Sequence, residues 1–278
     1  LELIPFSTYQ LSKYEKYRHQ EKKESPREAL KGGMNEKVSS SYRIKSRMAC
    51  TFVFPEETGS PYEDKKLEII EQLGEKMDQL GEPLDADDLV NEKKVDSIIK
   101  SSFLKILDKE KDKHLDMHNG SLKKLSPKYL KMVQNIINSP GSNLVYSQFR
   151  TLIGLAVFGL VLEQTGKYAP LRLHKQDGEW KLKEKEGEEG LPKYCYYSGK
   201  EDREEREIAR KLFNSMWDEL PSNCSTLKKQ VMKMDKSGKQ NLYGDVIKVF
   251  MITKTGAEGL NLKCVRSVHI MESYWQPV

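Results

Sequence analysis

The sequence predicts an α/β fold, in which helices flank a parallel β-sheet. Residues 246–252 are almost all apolar or β-branched, which is typical of a strand buried on both faces of such a sheet. A loop with two glycines around an acid follows directly, and a second apolar strand is predicted at 267–272. From residue 125, helix, strand, polar tip and helix follow one another, which is the order of a βα unit. Glycines placed after a strand suit close approach of the backbone to a phosphate or ribose, or simply a turn.

Composition and charge distribution separate the amino-terminal part from the rest. The chain has 47 basic and 42 acidic side chains, and residues 1–50 hold 11 Lys/Arg against 6 Asp/Glu, which accounts for the whole surplus of +5. This basic arm either contacts nucleic-acid phosphates or forms a solvated surface. No apolar run approaches the ~20 residues of a membrane span, so no membrane partner is expected.

The cysteines and histidines predict no metal site. Cys50, Cys195, Cys224 and Cys264 form no CxxC pair, and Cys195 and Cys264 stand in apolar, strand-like contexts. We therefore expect reduced thiols, no zinc and an intracellular, reducing environment. The pair of histidines in the charged stretch 109–124 has no third ligand nearby in sequence.

The first region, 1–55, combines a helix with two arginines. Tyrosines and a leucine recur at near-helical spacing within 1–28, with charges between them. Arg43 and Arg47 lie one helical turn apart further on, within 42–55. They either clamp phosphates or pair with carboxylates.

The second region, 56–124, is predicted to be a charged insertion, partly disordered and partly helical. Residues 56–92 contain 13 acids and 3 lysines and are interrupted by prolines and glycines, which indicates a solvated segment. An amphipathic helix is predicted at 95–107, and a charged loop at 109–124.

The third region, 125–278, carries the elements of the sheet. Ser126 and Pro127 provide an N-cap and a first helical residue. Asp177 and Gly178 indicate a hairpin turn. The remaining predictions are a strand at 144–149, a helix at 150–164, a strand at 194–197, a helix at 201–217 and a Lys-rich helix and loop at 223–241.

Several of these stretches resemble motifs of superfamily 2 helicases. Thr-Gly-Ala-Glu-Gly-Leu-Asn-Leu at 255–262, followed by the Tyr-Trp-Gln-Pro turn at 274–277, resembles motif V and the approach to motif VI in the Swi/Snf-like branch of nucleocytoplasmic large DNA viruses. Gln276 stands where that family usually has Asn. Residues 42–55 resemble a segment between the two motor domains. The resemblance implies that 125–278 is the second RecA-like domain, ending before motif VI.

The resemblance also implies roles for individual residues. The positions that match nucleotide-binding residues are Gly256, Glu258, Gly259 and Asn261. The positions that match nucleic-acid contacts are Tyr146, Ser147, Gln148, Ser198, Gly199, Thr253, Thr255, Arg43 and Arg47. Read from the residues alone, Tyr146 could instead be a core aromatic and Glu258 an acid at a helix start.

The same resemblance implies cofactors and partners. ATP and Mg²⁺ would act in the full-length protein, where a first RecA-like domain, in cis or in trans, supplies the phosphate loop and the Mg²⁺ ligands. Neither motif occurs in these 278 residues, so no complete catalytic set and no hydrolysis by the chain alone are expected. DNA or RNA, transcription proteins and virion proteins are the implied partners, in the host cytoplasm, the viral factory or the virion. Two hypotheses stay open. The chain is either the carboxyl-terminal motor half of an ATP-dependent viral helicase or translocase that acts in replication, remodelling or early transcription, or a catalytically inactive structural or interaction module such as a virion scaffold.

Overall fold

The computed structural model describes residues 3–29, 44–58, 103–150, 153–199, 201–254 and 259–272. These residues belong to two compact units. Unit 1 takes the described residues within Leu1–Lys131 and Gln148–Val161, and unit 2 those within Met132–Ser147 and Leu162–Ser273. No helix in the described ranges has the length and apolar character that a membrane span requires. The domain boundaries proposed at 55 and 124 stay a prediction.

In unit 1, a long helix fixes a short one. α1 (Thr8–Ala29) confirms the predicted tyrosine-rich helix, and α2 is Ile44–Ala49. Glu21 on α1 accepts hydrogen bonds from the backbone N and the Oγ of Ser46, at 3.0 and 2.7 Å. Gln10 Nε2 donates to the carbonyl of Ala49 at 2.8 Å. Both ends of α2 are thereby tied to α1.

The predicted charged loop at 109–124 is wrong, because this stretch contains short helices. α3 (Phe103–Lys109), α4 (Lys111–His114) and α5 (Ser121–Leu125) follow one another here. Leu115 and Leu122 are fully buried, so a few well-spaced leucines outweigh the many charges. His114 is also buried and lies 3.0 Å from Glu110. The acidic stretch beyond residue 58, and most of the predicted 95–107 helix, lie outside the described residues.

α6 (Pro127–Asn138) begins where the sequence predicts. The Oγ of Ser126 accepts from the backbone N of Tyr129 at 3.1 Å and donates to the carbonyl of Thr51 at 2.6 Å. Tyr129 packs against Phe52 and Phe158, with ring centroids 5.7 and 5.0 Å apart. These rings form part of the apolar interior of unit 1.

α7 (Leu155–Gln164) starts five residues later than predicted. The backbone N of Leu155 donates to the carbonyl of Phe149 and that of Ala156 to the carbonyl of Arg150. These bonds span six residues, which is incompatible with α-helical i to i+4 bonding. The apolar sequence therefore predicted the helix but not the residue at which it begins.

Unit 2 is built on the predicted parallel sheet. Its strands are β1 (Ser142–Tyr146), β2 (Ala169–Pro170), β5 (Lys193–Tyr197), β6 (Ile247–Ile252) and β7 (Val265–Ile270). Within the described residues they are arranged in the order β2-β5-β6-β1-β7, and every neighbouring pair is parallel. β6 is central and mostly buried, which confirms the interpretation of its apolar run. Cys264 stands just before β7 with φ 65°, so it is not a strand residue as predicted.

A hairpin and two helices complete unit 2. β3 (Leu173–Gln176) and β4 (Glu179–Leu182) pair antiparallel around Asp177 and Gly178, whose positive φ angles of 54° and 80° confirm the turn. The helices are α8 (Arg203–Phe213) and α9 (Ser225–Met234). Their apolar sides share one core cluster with β6, whose members include Leu212, Leu227 and Phe250. α8 ends before Ser215, which has φ 57°, and so is shorter than the predicted 201–217.

Candidate nucleic-acid interface

Three hydroxyl residues stand in a row at the carboxyl edge of the sheet. β5, β6 and β1 are neighbours, and their last residues Tyr197, Ile252 and Tyr146 are in register. The next residue of each strand is a Ser or Thr. These residues, which we call the strand-tip row, are Ser198, Thr253 and Ser147, and all three are completely buried.

Ser147 is held by a buried carboxylate. Its Oγ lies 3.1 and 2.9 Å from the two carboxylate oxygens of Glu272, to which it donates, and its backbone N donates to the carbonyl of Ile252 at 3.2 Å. Glu272 comes two residues after β7 and is only 8% exposed. The backbone N of Met271 donates to the carbonyl of Tyr146 at 2.9 Å, which places Glu272 beside Ser147.

Ser198 is held in the same way by an acid close in sequence. Both its backbone N and its Oγ donate to one carboxylate oxygen of Glu201, each at 2.7 Å. Asp202 then caps α8 by accepting from the backbone N of Glu204 at 2.8 Å. Burial, together with the negative charges of Glu201 and Asp202, raises the pKa of Glu205. Acidic groups thus surround the end of β5.

Thr253, in the middle of the row, differs from its two neighbours. Its Oγ1 is buried and forms no hydrogen bond with any group in the described part of the chain. The residue that follows, Lys254, is exposed, as is Gly199 after Ser198. In unit 2 the first residue beyond β5 and β6 is therefore buried, and the second is presented to solvent.

Unit 1 contains a separate polar contact at a predicted position. Arg47 on α2 donates from Nη2 to the side-chain oxygen of Gln148, and its guanidinium carbon lies 5.6 Å from the centre of the Phe149 ring. Among the described residues Arg47 forms no ion pair with a carboxylate. A half-buried guanidinium held by an amide and a ring keeps its positive charge uncompensated, which suits an anionic ligand.

Asn261 and Tyr146 are predicted site residues that are not members of the strand-tip row. Asn261 accepts, through its carbonyl, from Nδ2 of Asn214, which directly follows α8. α8 begins beside the end of β5 and its 11 residues extend ~16 Å away, so Asn261 lies far from that edge. Tyr146 is partly buried and packs against the core cluster, which agrees with its alternative interpretation as a core aromatic.

The predicted nucleotide positions are described only in part. Gly259 has a left-handed backbone with φ 70°, and a Cβ there would meet no atom within 4 Å, so its backbone can be approached closely. Arg43, Thr255, Gly256 and Glu258 lie outside the described residues. No group of three or more His, Cys, Asp or Glu that could hold a metal ion occurs in the described ranges. The roles assigned to all these positions stay predictions.

Two site residues, Glu201 and Glu272, escaped the sequence analysis. Each is an acid within four residues of a strand end, and each binds a serine that had been predicted to hold phosphate directly. An acid just beyond a strand was the available signal. The partnership of Ser147 with Glu272, 125 residues away, had no local signature.

Comparisons with known proteins relate the chain to viral helicase-like proteins. No protein-family model matches it. It is 34% identical over 152 residues, 54% of its length, to a termination factor NPH-I homolog of African swine fever virus, of which the match covers 21%. It is 26% identical over 160 residues and over 153 residues to two Acanthamoeba polyphaga mimivirus proteins named ATP-dependent RNA helicase, covering 22% and 14% of them. The chain thus spans about a fifth or less of the length of these relatives.

Proposed function

We propose that this chain contributes the second motor domain of an ATP-dependent helicase or translocase that moves on nucleic acid. The observation that carries the proposal is the strand-tip row, three buried hydroxyl residues at the ends of adjacent parallel strands, with Gly199 and Lys254 exposed immediately beyond. The relatives' names agree with it, since they include an ATP-dependent RNA helicase and a termination factor. Those names also favour a role in viral transcription, in the host cytoplasm, the viral factory or the virion.

In this proposal the buried hydroxyls position the strand ends, and the exposed residues contact the ligand. Ser147 and Ser198 are already bonded to Glu272 and Glu201, so they fix the backbone at the edge. Gly199 offers backbone groups and Lys254 an ammonium group with no ion pair in the described chain. Contacts of this kind read phosphates and carry no base information, as a translocase requires.

ATP would bind at the same edge, and the residues present fit it only in part. Gly259 allows close backbone approach, whereas the carbonyl of Asn261 is already bonded to Asn214 after α8. ATP supplies the energy of hydrolysis, and Mg²⁺ would be held by residues outside this chain. The role of the present residues is to hold the edge rigid and to keep a cationic side chain exposed beside it.

Lys254→Ala tests this assignment in the 278-residue chain. We expect similar affinity for unrelated single-stranded sequences, measured by fluorescence anisotropy with oligonucleotides of about 20 residues. Removing one phosphate contact should weaken binding uniformly and reduce the slope of log K against log salt by about 0.7. The matched control is Lys167→Ala, an exposed lysine in the turn after α7. Equal slopes for the two variants would contradict the proposal, as would strong dependence on base sequence.

A catalytically inactive interaction module is the second candidate. Such a module would need no phosphate loop, and none occurs in these 278 residues. Both candidates predict background ATP hydrolysis by the chain alone, so hydrolysis does not separate them. Binding of nucleic acid through Lys254 does separate the two candidates, because only the function as a motor domain requires it.

A further inference from the structure

Helix α9 and the turn after it present a row of lysines. Lys229 and Lys233 lie one helical turn apart on α9, and Lys236 and Lys239 follow in the turn beyond the helix. All four are exposed, and none forms an ion pair in the described chain. We call these four residues the lysine face. α9 itself contains no acidic residue.

The acids closest in sequence are occupied by backbone groups. Asp235 accepts from the backbone N of Lys239 and of Gln240, at 3.2 and 2.8 Å. Asp245 accepts from the backbone N of Ser237 at 3.1 Å. These carboxylates build the turn after α9 and are not paired with the ammonium groups. These two carboxylates keep their negative charge, but four ammonium groups against two carboxylates still leave a local excess of positive charge.

The helix that bears these lysines is held firmly from its other side. Leu227, Val231 and Met234 are buried in the core cluster. Gln230 bonds both backbone groups of Leu182 on β4, accepting at 2.8 Å and donating at 3.1 Å. The backbones of Lys229 and Lys233 are consequently fixed to the core of unit 2.

We propose that the lysine face is a second binding surface for the phosphate backbone of nucleic acid, distinct from the strand-tip row. Lys229 and Lys233 lie ~6 Å apart along α9, about two phosphate steps of one strand at ~3.4 Å each, and Lys236 and Lys239 continue the row beyond the helix. Tyr243 is 41% exposed, and the ammonium of Lys239 lies 5.9 Å from its ring centre, which offers an aromatic surface beside the cations. A membrane surface fits less well, because the apolar residues of α9 face the core and only Met232 is exposed among the lysines.

The surface lies away from the strand tips. Asn241, in the turn that ends at β6, donates to the carbonyls of Phe213 and Ile247, at 3.0 and 3.1 Å. Phe213 is the last residue of α8 and Ile247 the first of β6, so this turn stands at the amino edge of the sheet. Nucleic acid bound there would contact the domain at a place remote from Lys254. The choice of nucleic acid as ligand rests on the proposed function. The charge excess is independent of that function.

The test compares two fourfold variants of the 278-residue chain with equal charge. One carries Lys229→Ala, Lys233→Ala, Lys236→Ala and Lys239→Ala. The control carries alanine at four other exposed lysines that have no ion pair in the described chain, Lys105, Lys109, Lys123 and Lys167. With duplex DNA, loss of four phosphate contacts should reduce the slope of log K against log salt by about 3.6. The ratio of wild-type affinity to variant affinity should therefore fall about a hundredfold between about 50 and 200 mM salt.

Equal slopes for the two fourfold variants would overturn the proposal. Polyglutamate is the competitor that tests the class of partner, and we expect it to displace DNA at least tenfold less well than an oligonucleotide of equal charge. Equal displacement would overturn the assignment to nucleic acid. The Lys254→Ala measurement is independent: a change there with none at the lysine face would reject only the present proposal, and the reverse would reject only the strand-tip assignment.

Discussion

The strand-tip row and the lysine face show two ways in which unit 2 uses polar side chains. In the row, Ser147 and Ser198 are buried, and each donates to a nearby glutamate. On the lysine face the charges are exposed and form no ion pair with another described residue. A buried polar group without a partner is costly, whereas an exposed charge costs almost nothing in stability. Changes in the row should therefore alter unfolding, and changes on the face should alter salt-dependent binding.

On helix α8, unlike on α9, basic and acidic side chains are paired with one another. Arg210 donates twice to Glu207, at 2.9 and 2.6 Å, and these bonds lower the pKa of the Glu207 carboxyl. Glu204 accepts from Nζ of Lys175 and Nε1 of Trp180. α8 and α9 share one apolar core, so what differs between them is the outward pattern of charge.

The largest effect should come from Glu272→Ala. The substitution leaves the Ser147 hydroxyl buried without its glutamate acceptor, and we expect the free energy of unfolding to fall by about 1–3 kcal/mol. Glu272→Gln keeps an acceptor oxygen and should cost less. Urea unfolding measures both variants, and combining each with Ser147→Ala gives the coupling energy. Zero coupling between the two positions would show that this bond does not hold the strand end.

Substitutions at Thr253 and Ser198 should change the stability less than Glu272→Ala does, and the two changes should differ from each other. Thr253→Val removes a buried hydroxyl that has no partner in the described chain and keeps the shape of the side chain, so stability should be unchanged or slightly raised. Ser198→Ala removes a bond to Glu201 and should cost about 1 kcal/mol. If thermal or urea unfolding shows Thr253→Val to be the more damaging change, the hydroxyl of Thr253 has a structural partner and the contrast fails.

The smallest effect on stability should come from the fourfold lysine-face variant. Exposed side chains away from caps and buried networks contribute within about 0.5 kcal/mol each, and removing neighbouring like charges relieves repulsion. We expect an unfolding midpoint close to that of the wild type, measured in the same urea series. A loss comparable with that of Glu272→Ala would mean that the lysines take part in folding, and would break the comparison.

Local patterns predicted the sheet and most elements of the chain. The β-branched run at 246–252 indicated a central strand, and β6 is one, because the middle of a parallel sheet buries both faces of such a run. The Asp177-Gly178 turn and the Ser126 cap were predicted because their chemistry involves only residues a few positions apart. Predictions failed where long-range packing decided: the leucines at 115 and 122 organise helices in a stretch that reads as a charged loop.

By itself, then, the sequence determined which segments become strands, that the sheet is parallel, and that short hydroxyl residues follow three of its strands. Only the tertiary structure decided what those hydroxyls do. Whether a serine at a strand end meets solvent or a carboxylate depends on which strand lies next to it, and β7 brings Glu272 to Ser147 across 125 residues of sequence. A hydroxyl bonds equally well to a phosphate or to a glutamate, so its residue type alone cannot distinguish the two.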